Sequence, residues 1–355
     1  MSKTTSPTGN FSIILRKKVK AYFQENKLNK RGGKLIAVKS IFIISILLAS
    51  YLCLLTFGYE NNFLLAVFFI FTLMTQLTAS FAVMHDASHH SLFRQRWLNT
   101  FVVHLLLGLG GASAIIWREK HVKGHHRHTN VDKEDSDIEG EPLFVFSPYQ
   151  KTRAYHRFQH FYAIFFYGLL TLKWVLYDDM RDLIINVYAM SKKKQWLCWI
   201  EVVLTRLLYL LISIIIPTLI FGSLFKVLLF WLLYNALFGI GLALVFQCAH
   251  VNTKTTFYSM DSDLRPNFST HQLQCTVDFA TQNRIFTWLV GGLNYQVVHH
   301  LFPAVSHKHY PAIQKILAKV IKDYPTLVYH HSPTFYSALK DHFRFLKQVA
   351  LPKTI

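Results

Sequence analysis

The sequence predicts an all-α integral membrane protein in which four transmembrane helices form two hairpins and carry a helical cap on the cytoplasmic side. Of its 355 residues, 52% are hydrophobic, which is too apolar for the two soluble domains that this length would otherwise suggest. Four apolar runs each reach the ~20 residues that a helix needs to cross the hydrocarbon core. Basic residues precede each pair of runs and place the ends of both hairpins in the cytoplasm.

The first hairpin comprises the apolar runs 38–57 and 63–83. The loop Gly58–Asn62 between them contains no Lys or Arg, whereas the segment before them is strongly basic. Because Lys and Arg are enriched in cytoplasmic loops, the joining loop is expected outside and both ends of the hairpin inside. The second hairpin, 200–221 and 227–247, follows the basic run Lys192–Lys194 and has the same predicted orientation.

Two further segments, 97–116 and 161–176, are ambiguous by hydropathy. If either one alone crossed the bilayer, the later histidine clusters would lie on opposite sides of the membrane. Both segments are therefore predicted to be interfacial or re-entrant.

The chain carries a formal net charge of +19. No nucleic-acid-binding motif accompanies this charge, and much of it flanks apolar runs, so anionic lipid headgroups or an acidic partner are expected rather than nucleic acid. The N-terminal stretch FSIILRKKVKAYF either lies on the membrane surface as an amphipathic helix or belongs to a disordered tail. No removable signal peptide is evident, because no apolar core with a cleavage site lies near the start.

The chain divides into five predicted segments, with both termini in the cytoplasm. They are a basic cytoplasmic N-terminal segment (1–37), the first transmembrane hairpin (38–83), a cytoplasmic cap region with two histidine clusters and interfacial helices (84–199), the second transmembrane hairpin (200–247) and a second cytoplasmic cap region with His250 and the third cluster (248–355).

The 19 histidines are the strongest functional signal in the composition. The four cysteines, Cys53, Cys198, Cys248 and Cys275, lie far apart without CxxC spacing and predict core thiols rather than disulfides or a zinc–thiolate site. The histidines instead form three clusters near membrane boundaries, and His250 lies alone at the end of the fourth apolar run.

The first cluster, MHDASHHS, directly follows the second apolar run. His85 and His89 are four residues apart, which on a helix places both imidazoles on one face. Asp86 is a candidate to orient one of these imidazoles without binding the metal itself. His90 follows His85 by five residues, and its participation is left open.

The second cluster repeats this spacing. His121 and His125 are four residues apart, and His126 points about 100° further round a helix. Adjacent histidines of this kind can serve two different ions.

The third cluster consists of Gln296, His299 and His300 in the sequence GGLNYQVVHHLFP. Gln296 occupies a ligand-like position, although an amide can bind metal weakly, act through water or only steer a neighbour. With His250, the clusters supply at least eight neutral nitrogen ligands. This number exceeds what one ion can bind and predicts a two-metal site, while imidazole alone is compatible with zinc, copper, iron or nickel.

The remaining histidines lack paired spacing and are predicted to be ordinary polar residues. They are His104, His128, His156, His160, His271, His307, His309, His330, His331 and His342.

The three clusters resemble the histidine boxes of the integral-membrane fatty-acid desaturase family, which two transmembrane hairpins separate. The matching words are HDASH from His85, HVKGHH from His121 and QVVHH from Gln296, and the resemblance spans about residues 10–345. The glutamine that leads the third box resembles the front-end subgroup, which includes delta-6 and linoleoyl-CoA desaturase-like proteins. His250 falls where this family supplies a further ligand.

The resemblance implies a non-haem diiron enzyme that uses O2 and two electrons to introduce a cis double bond into an acyl chain carried by a lipid, CoA or acyl carrier protein. Attack on an alkyl C–H bond needs a strong oxidant, which redox-inert zinc cannot provide. The His-Pro-Gly-Gly word of a fused cytochrome b5 domain is absent. The electrons are therefore expected from a separate ferredoxin, cytochrome b5 or flavin reductase.

The resemblance also implies the roles of individual residues. The implied metal ligands are His85, His89, His121, His125, His126, His250, His299 and His300, with His90 open and with Asp86 and Gln296 as outer or weak ligands.

Two other functions use similar histidine clusters. A diiron lipid hydroxylase or oxygenase employs the same oxidant and differs only in its product. A membrane metal transporter would carry ionisable residues along a path at mid-bilayer, whereas Glu201 and Arg206 intrude near one edge of the third run. Desaturation is the leading prediction.

Overall fold

The computed structural model describes residues 7–185, 187–262 and 265–351, and most of them are helical. The helices are α1 (Pro7–Glu25), α2 (Gly33–Glu60), α3 (Asn62–Ser88), α4 (Arg96–Leu109), α5 (Ala114–His128), α6 (Gln159–Tyr167), α7 (170–184), α8 (Lys192–Phe221), α9 (Leu224–His250), α10 (Phe268–Cys275), α11 (Arg284–Leu289), α12 (Gln296–Leu301), α13 (Tyr310–Val320) and α14 (Phe335–Val349). Two strands, β1 (Asp278–Phe279) and β2 (His331–Ser332), form a parallel pair. The predicted all-α class is confirmed.

Four of these helices, α2, α3, α8 and α9, are long and apolar enough to cross a membrane, as predicted. They are 27 to 30 residues long and exceed the ~20 residues that the hydrocarbon core requires. Only 6% to 33% of their most apolar windows is buried inside the protein. Such extensive apolar surface is what lipid-facing helices present, because lipid rather than protein covers it.

The first ambiguous segment forms the bent pair α4 and α5. Their axes differ by 115°, a bend that fits either a broken span or a re-entrant loop, so the interfacial or re-entrant position of this segment stays a prediction. At this turn Gly111 has a φ of +75°, and a Cβ there would lie 2.9 Å from Cγ of Tyr209. Glycine is required because a side chain would be both strained and obstructed.

The chain is organised as two compact units. Unit 1 contains the described residues up to Gly33, residues Gly124–Tyr162 and the chain from Leu244 onward. Unit 2 contains Lys34–Lys123 and Ala163–Ala243. Residues of the predicted cap segment 84–199 contribute to both units.

In unit 1 the N-terminal helix α1 packs on α13. Phe11, Leu15 and Val19 recur every four residues, are buried and share a core with Ile313 and Leu317. The helix therefore forms, which corrects the alternative of a disordered tail for Pro7–Glu25. One apolar face is covered by protein, and a place on the membrane surface stays a prediction.

Unit 2 contains an apolar cavity of about 260 Å³ among its long helices. The polar side chains near it largely bind one another. The Tyr234 hydroxyl donates to Oε1 of Gln76 over 2.7 Å, and the indole N–H of Trp231 donates to the Tyr209 hydroxyl over 2.9 Å. Because these groups satisfy each other, the lining suits hydrocarbon better than water.

A fully buried histidine of unit 1 makes stability dependent on pH. The Nδ1–H of His342 on α14 donates to the Val251 carbonyl over 2.7 Å, and burial lowers the pKa of His342 from 6.5 to about 4. The folded chain therefore binds fewer protons than the unfolded chain between these values. The contribution of neutral His342 to the free energy of unfolding is fully present above about pH 6.5. It is lost as the pH falls to about 4, by roughly 1.4 kcal/mol per pH unit.

We expect His342→Asn to weaken this acid destabilisation, because asparagine keeps an N–H donor for Val251 but does not titrate. Thermal unfolding in detergent at pH 7 and pH 5 should show a smaller difference for the variant than for the wild type. The same pH dependence in both proteins would contradict the prediction.

Candidate metal centre

A buried histidine triad lies in unit 1. His125 comes from α5, His250 ends α9 and His300 lies in α12. Their ring centroids are 4.6 to 5.0 Å apart, and one ligand nitrogen of each lies within 4.8 Å of the others. Two nitrogens on one ion are at most about 4.2 Å apart, twice a metal–nitrogen bond of ~2.1 Å. The triad thus needs only a small closing movement to share an ion.

Each imidazole of the triad is held through its Nδ1 atom. His125 donates to the Asp135 carboxylate over 3.0 Å, His300 donates to Oε1 of Gln272 over 2.8 Å, and His250 is 3.4 Å from the Cys275 carbonyl. Such acceptors fix the tautomer and orientation of a metal-binding histidine. In all three residues Nε2 is thereby the atom left to bind metal.

One buried atom of the triad, Nε2 of His300, lacks a hydrogen-bond partner among the described residues. The buried Gln296 side chain hydrogen-bonds His250. A buried acceptor without a partner costs about 1–3 kcal/mol. A cation bound to Nε2 of His300 would remove that cost, so the residues present fit a metal ion.

The surroundings shift the pKa values of His300 and His125 in opposite directions. Burial, followed by the neighbouring histidines, lowers the pKa of His300 well below its usual value and keeps the ring neutral. Burial also opposes charge on His125, but the Asp135 and Asp137 carboxylates outweigh it and raise the pKa of His125 to about 9. The triad therefore combines a neutral donor, His300, with an imidazole, His125, that is protonated in the metal-free chain. A cation at Nε2 of His125 would displace this proton and take its place near the two carboxylates.

A second pair of histidines in unit 1 consists of His126 and His299. Their Nε2 atoms face each other at 3.0 Å, and Nδ1 of His299 is 3.0 Å from the Tyr310 hydroxyl. His126 also stacks on His300, with ring centroids 4.3 Å apart. Adjacent residues in the second cluster thus have different partners, since His125 joins the triad and His126 pairs with His299.

Unit 2 holds a third group, the trio His85, His89 and His121. All three are buried, their ring centroids are 4.9 to 5.3 Å apart, and the Nε2 atoms of His85 and His121 are 3.0 Å apart. Trp117 stacks on His121 at 4.6 Å with an interplanar angle of 15°. Imidazole rings from α3 and α5 therefore converge within this unit.

Both helices that carry the trio contain π-helical turns, over Ser80–Met84 in α3 and Arg118–His125 in α5. The sequence spacing had predicted regular α-helix here. A π turn inserts a residue into the helix, re-aims the side chains that follow and is frequent at functional sites.

The third cluster is presented by a tight turn. Gly291 and Gly292 have φ values of +58° and +75°, which suit residues without a side chain. A Cβ on Gly292 would lie 2.7 Å from the Cβ of His307. The two glycines of the GGLNYQVVHHLFP word are therefore required by backbone geometry and close packing rather than by metal chemistry.

A buried carboxylate anchors the helix that follows this turn. Asp278 accepts the Val297 N–H over 2.7 Å at the start of α12 and the Tyr329 hydroxyl over 2.5 Å. Burial raises the pKa of Asp278 to about 7 despite these hydrogen bonds. Asp278 thus fixes the segment that carries His299 and His300.

The remaining predicted candidates lie in unit 2. His90 is within 2.7 Å of the Arg118 guanidinium, and the structure does not group it with the trio. Asp86 is buried and interacts electrostatically with Lys39. A role for Asp86 in orienting a ligand stays a prediction.

Sequence reasoning did not find the groups that hold the ligands, namely Asp135, Gln272 and Tyr310. Asp135 had a weak signal, because it lies in the acidic stretch DKEDSD ten residues after His125. Gln272 and Tyr310 contact His300 and His299, and no sequence pattern marks either of them as a partner.

Several histidines that sequence reasoning left as ordinary polar residues have structural partners. Those bound to backbone carbonyls are His156, His271, His309 and His342. These hydrogen bonds are what ordinary buried polar residues make.

Comparison with known proteins identifies the family. The family model described as fatty acid desaturase matches residues 61–332, which is well over half of the chain and includes all eight predicted histidine ligands. The chain belongs to the fatty acid desaturase family. The resemblance predicted from the three histidine clusters is confirmed.

Named relatives extend the similarity to nearly the whole desaturase chain. An acyl-lipid (8-3)-desaturase of Physcomitrium patens is 32% identical over 96% of this chain and 72% of its own length. An sn-1 linoleoyl-lipid 6-desaturase of Arthrospira platensis is 28% identical over 100% of this chain and 98% of its own. Another from a Synechocystis species is 30% identical over 95% of this chain and 94% of its own.

Family membership fixes the general activity and setting of this desaturase. It is an oxidoreductase of lipid metabolism that acts on fatty-acyl chains, and its four long apolar helices make it an integral membrane protein. Its buried histidine groups can bind metal.

Proposed function

We propose that this desaturase uses two iron ions and O2 to introduce a cis double bond into an acyl chain, on the carboxyl side of an existing double bond or of the delta-9 position. The observation that carries the metal assignment is the triad His125, His250 and His300, whose imidazoles are buried, oriented through Nδ1 and directed at one another. Iron bound by such ligands supplies the oxidant for an unactivated C–H bond, which zinc does not.

The triad is proposed to bind one iron, and His85, His89 and His121 contribute to the other. His126 and His299 complete the set of nitrogen ligands. Gln296 is proposed as a weak or outer ligand, since its buried side chain hydrogen-bonds His250 of the triad. Protein carboxylates such as Asp135 act on the metal through the imidazoles.

Front-end regiochemistry is supported by two independent features. The third cluster begins with Gln296 in place of histidine, as in the front-end subgroup that this chain resembles. The relatives are named as 6-desaturases and (8-3)-desaturases. We infer delta-6-like insertion into an acyl-lipid or acyl-CoA, with the acyl-lipid favoured because the relatives' names specify lipid substrates.

The electron donor is proposed to be a separate acidic protein, such as a ferredoxin or cytochrome b5, or a flavin reductase. Arg16, Lys17, Lys18 and Lys20 are exposed on α1 and offer a basic surface for such a carrier. The distribution of Lys and Arg along the sequence supports a cytoplasmic position for this surface, the histidine clusters and both termini.

Lipid analysis of a host that expresses the chain tests the function. Cells supplied with linoleate and a reductant system should form a fatty acid with one additional double bond between the existing bonds and the carboxyl end. Mass spectrometry of derivatised methyl esters locates that bond, and His299→Ala is the inactive control. A hydroxylated product without an alkene would identify a hydroxylase, whereas labile zinc with metal uptake would identify a transporter.

A further inference from the structure

Two acidic side chains of unit 2 meet at the start of α5, the helix that carries His121. Glu201 lies on the membrane-crossing helix α8, and Asp179 lies on α7. Both contact Ser113, the residue that precedes α5 at the bend between α4 and α5. Neither carboxylate belongs to the metal-binding groups described above.

Glu201 accepts four hydrogen bonds in this arrangement. Its oxygens lie 2.5 Å from the Ser113 hydroxyl, 3.2 Å from the Ala114 N–H and 3.1 Å from the Ile115 N–H. The fourth donor is the Nδ1 atom of His104 on α4, at 2.5 Å. One carboxylate thus joins α8 to both helices of the bent pair and satisfies backbone donors that a helix start leaves without partners.

Asp179 connects the same turn to the aromatic rings beside His121. It accepts the Ser113 N–H over 2.9 Å and the indole N–H of Trp174 over 2.9 Å. Trp174 stacks on Trp117 at 5.2 Å, and Trp117 stacks on His121 at 4.6 Å. The Asp179 carboxylate therefore fixes one end of a stack of three rings that ends on an imidazole.

The charges of this cluster are paired within it. Arg206 on α8 donates to Asp179 over 3.2 Å and to the Val175 carbonyl over 3.0 Å, while Glu201 faces His104. Ionisable groups in a membrane-crossing helix are costly and are retained where they pair or serve function. This pairing gives a partner to His104, which stays predicted to be an ordinary polar residue, and it explains why Glu201 and Arg206 occur in an apolar run.

We propose that Glu201 and Asp179 are positioning residues that lock the start of α5 and thereby set the direction of the His121 imidazole. Ser113 is their common contact, since its backbone binds Asp179 and its hydroxyl binds Glu201. The inference deepens the proposed function, because it assumes that His121 is a metal ligand. It assigns a role to charged groups that lie outside the histidine clusters.

The test compares Glu201→Gln and Asp179→Asn with the wild type in the full-length protein. Each variant keeps the size of the side chain but removes the negative charge and replaces one acceptor oxygen with an NH2 donor. We expect amide hydrogen exchange over residues 113–121 to become at least tenfold faster. Anaerobic titration with ferrous iron should show affinity about 10- to 100-fold lower, the range found when groups that orient ligands are removed. In assays with acyl substrate, kcat should fall while KM stays unchanged.

Asp182→Asn is the matched control. Asp182 is buried on α7 like Asp179, but its carboxylate binds the Tyr188 hydroxyl rather than the turn. It should leave exchange over 113–121 and iron affinity unchanged. Equal effects of Asp182→Asn and Asp179→Asn would overturn the proposal, as would unchanged exchange or unchanged iron affinity in both test variants.

If the two acid variants do not fold, Ser113→Ala replaces them. It removes the hydroxyl that donates to Glu201 and that also accepts the Ile116 N–H over 3.2 Å. The same changes in exchange and iron affinity are then expected on a smaller scale, and their absence would overturn the proposal. If wild-type protein forms no alkene, the proposed function fails. Exchange and iron titration would still decide whether the carboxylates position His121.

Discussion

Replacing His300 by alanine should reduce iron content and lower desaturation by more than about 100-fold. His300 supplies a buried Nε2 without a hydrogen-bond partner in the described part of the chain, and its Nδ1 is held by Gln272. Alanine removes the donor atom and leaves a cavity where the imidazole had been. Loss of a direct ligand should exceed the 10- to 100-fold effects seen when only an orienting group is changed. Iron analysis of the purified protein and product analysis in cells measure the two effects.

His330→Ala provides the control for this experiment. His330 is a half-buried histidine of the same unit that lies outside the triad, so iron content and product yield should remain near wild-type values. Full iron content in His300→Ala would contradict the assignment of His300 as a ligand. An equal loss in His330→Ala would show instead that unit 1 does not tolerate such truncations.

Asp135→Asn should weaken iron binding by about 10- to 100-fold without removing any ligand. The Asp135 carboxylate accepts Nδ1–H of His125 over 3.0 Å and the Asn130 N–H over 2.8 Å. Asparagine has the same shape but carries no charge, so it stabilises the metal-bound imidazole less and holds its orientation less firmly. Equilibrium titration of the metal-free protein with ferrous iron under anaerobic conditions measures the change.

Asp137→Asn is a graded comparison on the same imidazole. Asp137 is 3.4 Å from Nδ1 of His125 and its side chain is 29% exposed, whereas that of Asp135 is fully buried. Solvent screens the more exposed charge, so the effect of Asp137→Asn should be several-fold smaller. A larger effect of Asp137→Asn would contradict the role given to Asp135.

The sequence by itself determined the membrane class and the ligand types of this desaturase. Hydropathy locates α2, α3, α8 and α9 because crossing a bilayer requires a long, continuous apolar run, and that property is local. The histidine clusters are recognisable for the same reason, since neighbouring ligands on one helix recur at fixed short spacing. Gln296 was also visible, because it lies within the third of these clusters.

Only the tertiary structure decided which residues meet. Within unit 1 it brings His125, His250 and His300 together from positions up to 175 residues apart in the numbering, and it supplies Asp135 and Gln272 as their acceptors. Such partners carry no sequence pattern, because a buried hydrogen bond needs proximity in space rather than spacing along the chain.

The same reason explains contacts that the sequence does not show. Phe11, Leu15 and Val19 of α1 pack against α13, and hydropathy alone does not identify that partner. His104 and Glu201 are 97 positions apart in the numbering, yet they are paired at 2.5 Å. Local sequence fixes the period and polarity of a helix, whereas the pairing of its buried charges depends on the elements that pack against it.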